Sequence, residues 1–313
     1  MTTRTHVGGS PPTATRRSSY QRRENLAGYA FMTPWFLGFV IIIGGPVLVS
    51  LYLSFTDYSI LGSPEWVGIE NYERMFTSDP RFWAALRVTL TYLIGSVPLV
   101  QIFALFLASV LNRGIRGLPI YRAVFYVPSL IGGSVAIAIL WRFMFQSDGL
   151  FNGMLSIFGI TTDYSWIGSP GTALSTLIVL NVWQFGAAMI IYLAGLRQVP
   201  MELYEAATMD GAGPIRQYFA ITLPMLSPVI LFNLLMNIVA AFQAFNTAYV
   251  VSNGTGGPAD STLFYTLYLY QRGFVDFEMG YASALGWILL IVSAAVAALL
   301  FGLSRRLVYY GDE

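Results

Sequence analysis

Residues 201–224, MELYEAATMDGAGPIRQYFAITLP, run directly into residues 225–251, MLSPVILFNLLMNIVAAFQAFNTAYVV. The second stretch contains no Asp, Glu, Lys or Arg. It exceeds the ~20 apolar residues with which a helix crosses a hydrocarbon core. The first is polar, rich in Ala and Gly, and carries Glu202, Glu205, Asp210 and Arg216. A charge-free rod headed by such an insert reads as a membrane span with a segment built to touch something other than lipid.

The rest of the chain agrees. It has 313 residues, a mean hydropathy of +0.62, 56% hydrophobic residues and 11% charged. Soluble domains average about 25% charged residues, so this chain has too few charges to clothe a water-exposed surface. Six apolar runs predict six helices: Tyr29–Phe55, Phe82–Leu111, Ile120–Phe145, Ala173–Ala194, Met225–Val251 and Met279–Leu303. Runs this long and continuous exclude barrel strands, and in lipid only helices and closed barrels satisfy the backbone. The fold class is therefore an all-α membrane protein with six transmembrane helices.

Arginine distribution orients it. The 17 basic residues are all Arg. Arg4, Arg16, Arg17, Arg22, Arg23, Arg113, Arg116, Arg122, Arg197, Arg216, Arg305 and Arg306 fall on one side of the six runs, against Arg74, Arg81 and Arg272 on the other. The positive-inside rule then puts both termini in the cytoplasm. Arg87 and Arg142 lie near helix ends, where an Arg stem can snorkel to the surface. Residues 1–25, polar and including the lone His6, read as a disordered cytoplasmic tail without a cleavable signal. Residues 26–306 form the transmembrane domain and 307–313 a short cytoplasmic tail.

Several chemistries are excluded. Without cysteine there is no disulfide, thiolate metal site or cysteine nucleophile. Without lysine there is no G-x-x-x-x-G-K-[ST] phosphate loop, so the chain does not hydrolyse ATP with that motif itself. No catalytic or metal-ligating cluster is identified. A membrane-embedded enzyme would need one. A self-sufficient secondary transporter predicts intramembrane carboxylates or inverted repeats, and neither is found.

In the polar insert, Pro200 can start a short helix near Met201, with Glu202 and Glu205 in early turns that favour negative charge. Gly211 and Gly213 can end it, and Pro214 can open a second helix, Ile215–Ile221. Ala206 and Ala207 would let a partner backbone come close, while Glu205 offers one fixed acceptor. A helical hairpin that merely connects two spans is the plainer alternative.

Glu205-Ala206-Ala207, followed by Asp210-Gly211-Ala212, Phe219, Ile221 and Leu223-Pro224, resembles the EAA loop of the permease subunits of bacterial ABC importers. Ser54-Phe55-Thr56-Asp57, Val67-Gly68, Asn71-Tyr72, Asp79-Pro80 and Trp141 extend the resemblance to carbohydrate-type permeases of the maltose-system family. It implies the ABC-importer permease fold and a multi-pass position in the bacterial inner (plasma) membrane. Residues 197–224 would couple to a separate ATPase through Glu205, Ala206, Ala207, Asp210 and Gly211. The implied partners are a second permease subunit, two ATPase subunits and an extracytoplasmic solute-binding protein. ATP and Mg would sit on the ATPase, with no cofactor on this chain. The implied function is import of a neutral carbohydrate or polyol by alternating access; a glycerol-phosphate-type importer is the alternative within the family.

Polar residues inside spans are costly and mark pathways. The fourth span offers Asn181, Trp183 and Gln184; the fifth offers Asn233, Asn237, Phe242, Gln243, Phe245 and Asn246. Amides donate and accept, which suits hydroxyl-rich solutes. Gln243 and Asn246, three residues apart on one face, read as pathway residues together with Phe242 beside them and with Asn181, Trp183 and Gln184. Asn233 and Asn237 read instead as interhelical bonds.

Overall fold

The computed structural model describes residues 17–114 and 116–307. The tail through residue 16, with His6, and residues 308–313 lie outside them. By packing, the chain divides into two units, Met1–Tyr52 and Leu53–Glu313, so the boundary falls inside the first apolar run.

The first unit is a helix, Arg17–Phe39, a π-helical turn, Val40–Gly44, and the start of the helix Gly45–Leu53. Residues 17–25 are thus helical, where the polar composition predicted disorder. Arg, Gln, Glu, Leu and Ala are strong helix formers, and the helix continues back from the apolar run. The apolar stretch is Gly28–Leu53, with a mean hydropathy of 2.3 over its best window.

The second unit contains three more long apolar helical stretches: Pro80–Leu111, Pro214–Val251 and Met279–Ser304. The third and fourth predicted spans are not single helices. Leu118–Ile131 and Val135–Met144 meet at 94°, and Ala173–Trp183 and Gly186–Leu196 meet at 40°. Among the described residues, four helices are therefore continuous enough to cross a membrane, and up to six spans result if each bent pair counts as one. The first break follows from Gly132-Gly133-Ser134. Ser134 leaves the helical region and its hydroxyl accepts the Ile137 N–H at 3.3 Å, capping a new helix. That is ordinary N-cap chemistry placed in mid-run.

The two breaks lock together. The Ser129 hydroxyl donates to the Gln184 carbonyl at 2.9 Å and accepts the Ala187 N–H at 2.9 Å. One side chain thereby satisfies a donor and an acceptor released by the second bend, as apolar surroundings demand. Only Gly fits at 186, since a Cβ there would lie 2.1 Å from the Phe125 carbonyl oxygen.

The central helix is Pro80–Leu111. It packs against Ala173–Trp183, Gly186–Leu196 and Leu223–Phe242. Ala104 and Ala108, one turn apart and fully buried, keep that approach close, as small residues do between membrane helices. Tyr192 donates to the Gln101 side-chain oxygen within this packing. A second core surrounds Phe82, Trp141, Phe242, Tyr265, Tyr268 and Leu285.

One end of the unit is held by a charged network. Asp79 caps the Pro80 helix, accepting the Arg81 and Phe82 N–H groups at 3.0 and 3.1 Å. It also accepts the hydroxyls of Tyr268 and Tyr281. Burial would raise the Asp79 pKa, but the two tyrosines, the Phe82 N–H and the Arg272 charge outweigh it and hold the carboxyl below its ordinary value. The same burial, with the bond to Asp79, pushes Tyr268 up to about 12. Arg272 pairs with Asp276 and Glu278 at 3.3 and 3.6 Å, Arg74 with Glu278 at 3.1 Å, and Arg81 with Asp260 at 3.0 Å. A two-stranded antiparallel ribbon, Thr56–Asp57 with Glu65–Trp66, sits beside it, and the Asn71 amide donates to Ser54 and Thr56 carbonyls at 3.0 and 2.9 Å.

Candidate functional site

The fifth run holds a third break that makes a cavity. Helix Leu223–Phe242 ends, residues 243–245 leave helical geometry, and a new helix runs Asn246–Ser252. The Ala244 carbonyl freed there accepts the Thr266 hydroxyl at 2.5 Å. Residues 243–247 consequently turn side chains into a space of about 230 Å³. Its walls include Tyr92, Gly133, Asn181, Gln184, Asn237, Gln243, Phe245, Asn246 and Thr247. The bend at Gly133 and the end of the Ala173–Trp183 helix open onto it, so all three breaks converge on one void.

Its chemistry is neutral and amide-rich. The Gln184 amide donates to the Leu180 carbonyl at 3.1 Å, and Asn237 donates to the Asn233 carbonyl at 2.9 Å. The side-chain amides of Asn181, Gln243 and Asn246 make no hydrogen bond among the described residues, so three donor–acceptor groups face the void free. Among the described residues, no carboxylate or guanidinium lines it. Such a surface can satisfy hydroxyls in either sense, and it offers an anion no counter-charge.

The structure therefore brings Asn181, Gln184, Gln243 and Asn246 together. It does not bring Phe242 or Trp183 to the same place. Phe242 is 2% exposed and packs beside Leu86, Thr89, Tyr265 and Leu289. The Trp183 ring lies 6.2 Å from Trp141. Asn233 is buried, whereas Asn237 faces the cavity and bonds only along its own helix. Tyr92 and Thr247 were not singled out from the sequence. Tyr92 is one ring in an apolar run, and nothing local separates it from core.

The polar insert forms a second site. Met201–Met209 is a helix preceded by Pro200, and Gly211 turns the chain with φ +77°. Pro214–Gln217 opens the next helix, which passes through a π-helical turn, Tyr218–Thr222, into Leu223–Phe242. Gln217 staples the hairpin, donating to the Thr208 hydroxyl and the Ala212 carbonyl at 2.9 Å each. Tyr204 and Thr222 share a hydrogen bond of 2.8 Å. Anchored on that face, the hairpin exposes the other: Glu205, Ala206, Asp210 and Gly211 are exposed, and Ala207 is half-buried. Met209 is 88% and Ile215 75% exposed. An apolar tip of this kind around a carboxylate fits a protein cleft better than water.

A family model described as "Binding-protein-dependent transport system inner membrane component" matches residues 102–309. The chain is 47% identical to the probable ABC transporter permease protein YesP of Bacillus subtilis, over 97% of this chain and 99% of that protein. It is 33% identical to the lactose transport system permease protein LacF of Rhizobium radiobacter, over 93% and 98%. In fold it is similar to a chain of a crystallised bacterial ABC transporter involved in import of the acidic polysaccharide alginate. The TM-score is 0.78 and the identity 23%, over 94% of this chain and 100% of that one.

Proposed function

The chain belongs to the family of binding-protein-dependent transport system inner membrane components, as a carbohydrate-type ABC-importer permease, and from that premise we propose that it passes a neutral carbohydrate or polyol by alternating access, driven by a separate ATPase. As a permease subunit it is a non-catalytic component of the membrane. The ATPase pair would grip residues 197–224 and would carry the ATP and Mg. A second permease subunit and an extracytoplasmic solute-binding protein would complete the assembly. Both termini would lie in the cytoplasm.

The observation that carries this reading is the direct connection between hairpin and cavity. Leu223–Phe242 has 20 residues, about 30 Å of helix. At its start, Thr222 is tied to Tyr204 of the hairpin; at its end, Gln243 lines the cavity. A push on the exposed Met209 and Ile215 tip is thus delivered along one helix to the walls of the void. Bends at 132–134, 184–186 and 243–245 let those walls move while the helices stay rigid. The free amides of Asn181, Gln243 and Asn246 would hold solute hydroxyls, and the lack of a cation in the walls favours a neutral sugar over a glycerol-phosphate-type solute.

The test is Glu205→Lys in the assembled importer. The variant should insert normally and lose both solute-stimulated ATP hydrolysis and uptake, because the carboxylate is exposed and holds no internal structure. Uptake at the wild-type rate would overturn the coupling role.

A further inference from the structure

Four aromatic rings continue from the cavity toward the end of the unit held by Asp79. Phe245 lines the void. One helical turn on, Tyr249 stacks against it with centroids 5.3 Å apart and planes at 30°. Tyr270, from the Tyr265–Tyr270 helix, touches both, 5.2 Å from Phe245 and 5.5 Å from Tyr249. Phe274 stacks on Tyr270 at 5.3 Å and 24°. It sits in the π-helical turn Gln271–Val275, a rare geometry that recurs at functional sites.

Core glue is the plainer role for such rings, but core rings are buried, and these are partly exposed. Phe245 and Tyr270 are half-buried, Tyr249 is 38% exposed and Phe274 56%. Aromatic-belt residues sit at the headgroup level of a membrane, whereas these four begin at the polar void. The Tyr249 and Tyr270 hydroxyls have no hydrogen-bond partner among the described residues. A contiguous cluster of partly exposed rings that carries free hydroxyls matches a sugar ring, which is apolar on its C–H face and polar at its edge.

Size supplies the second argument. At about 230 Å³, the cavity is smaller than the roughly 300–1,000 Å³ of sites that enclose drug-sized ligands. A solute of several sugar units would exceed it. Resting on the proposed function above, we propose that Phe245, Tyr249, Tyr270 and Phe274 form an oligosaccharide subsite. One terminal sugar unit enters the amide cavity while the following units lie on the rings. The substrate class is then an oligosaccharide, not a polyol or a monosaccharide.

The experiment uses the complete importer, with its second permease, ATPases and solute-binding protein, in proteoliposomes. The probe is a size-graded mixture of neutral oligosaccharides and their monosaccharides from partially hydrolysed polysaccharides, with vesicle contents read by mass spectrometry. Wild type should accumulate chains longer than two units. Tyr249→Leu and Phe274→Leu keep apolar bulk at exposed positions while removing the ring face; each should lower the ratio of long to short sugars taken up by about tenfold. Tyr249→Phe, which keeps the ring, should recover most of that ratio. Wild-type uptake restricted to monosaccharides, or an unchanged ratio in both Leu variants, overturns the subsite. Failure of wild type to accumulate any sugar with ATP overturns the transport reading on which it rests.

Discussion

Asp79 gives the sharpest quantitative test of the fold. Replacing it by Ala removes the cap from the Pro80–Leu111 helix and strands the hydroxyls of Tyr268 and Tyr281, both buried. A lost N-cap costs about 1 kcal/mol, and each buried donor left without an acceptor about 1–3 kcal/mol. Arg272 keeps Asp276 and Glu278, so its own loss adds little. The sum is about 3–7 kcal/mol. At roughly 2–4 °C per kcal/mol for chains somewhat shorter than this one, the melting temperature of the purified protein in detergent should fall by about 10 °C. Asp79→Asn retains an acceptor and should lose about half as much. The sign of the pH effect follows from the depressed pKa. The ionised form contributes its full stabilisation above the ordinary carboxylate value of about 3.9, and the contribution fades as pH falls below that value toward the native one. The gap between wild type and Asp79→Asn should therefore be constant from pH 7 to about 5 and shrink below about 4. A shift under about 1 °C for Asp79→Ala, or a gap that widens in acid, would refute the assignment of Asp79 as the network's hub.

Two further perturbations bear on the membrane interior. Ser129→Ala leaves the Gln184 carbonyl and the Ala187 N–H without their shared partner; thermal unfolding should show a loss of about 1–2 kcal/mol, and an unchanged midpoint would mean the bend is satisfied otherwise. Gln243→Leu removes a free amide from the cavity while leaving the core untouched. Uptake assays should show KM for a sugar rising by about tenfold with stability unchanged, and a wild-type KM would take Gln243 off the pathway.

The membrane class and the approximate spans were legible because lipid demands long apolar runs, and this demand is written residue by residue. The hairpin was legible too, because Pro200, Gly211 and Pro214 act locally. The breaks were not. Gly132-Gly133-Ser134 could serve as a packing point or as a cap, and only the arrival of Gln184 and Ala187 at Ser129 decides it. Gln243-Ala244-Phe245 contains neither Gly nor Pro, and the break there depends on Thr266 reaching the Ala244 carbonyl. With that break unseen, Phe242 was placed beside Gln243, when it packs into the core. Tyr268, Arg272 and Tyr281 meet Asp79 from nearly two hundred positions away, a pairing no local pattern contains. Arg142 near a helix end suggested snorkelling, and the exposed bond from its guanidinium to Asn253 is a partner that the sequence did not name.

The central claim is that the Met201–Gln217 hairpin conveys ATPase motion into the bundle. The native chain has no cysteine, so a single Cys at Met209 or Ile215 can be crosslinked in the assembled importer without background from this chain. The account predicts a crosslink to the ATPase chain whose yield changes when ATP is bound, and protection from membrane-impermeant thiol reagents applied outside. Labelling from the external face, or no crosslink to the ATPase in any nucleotide state, would contradict it.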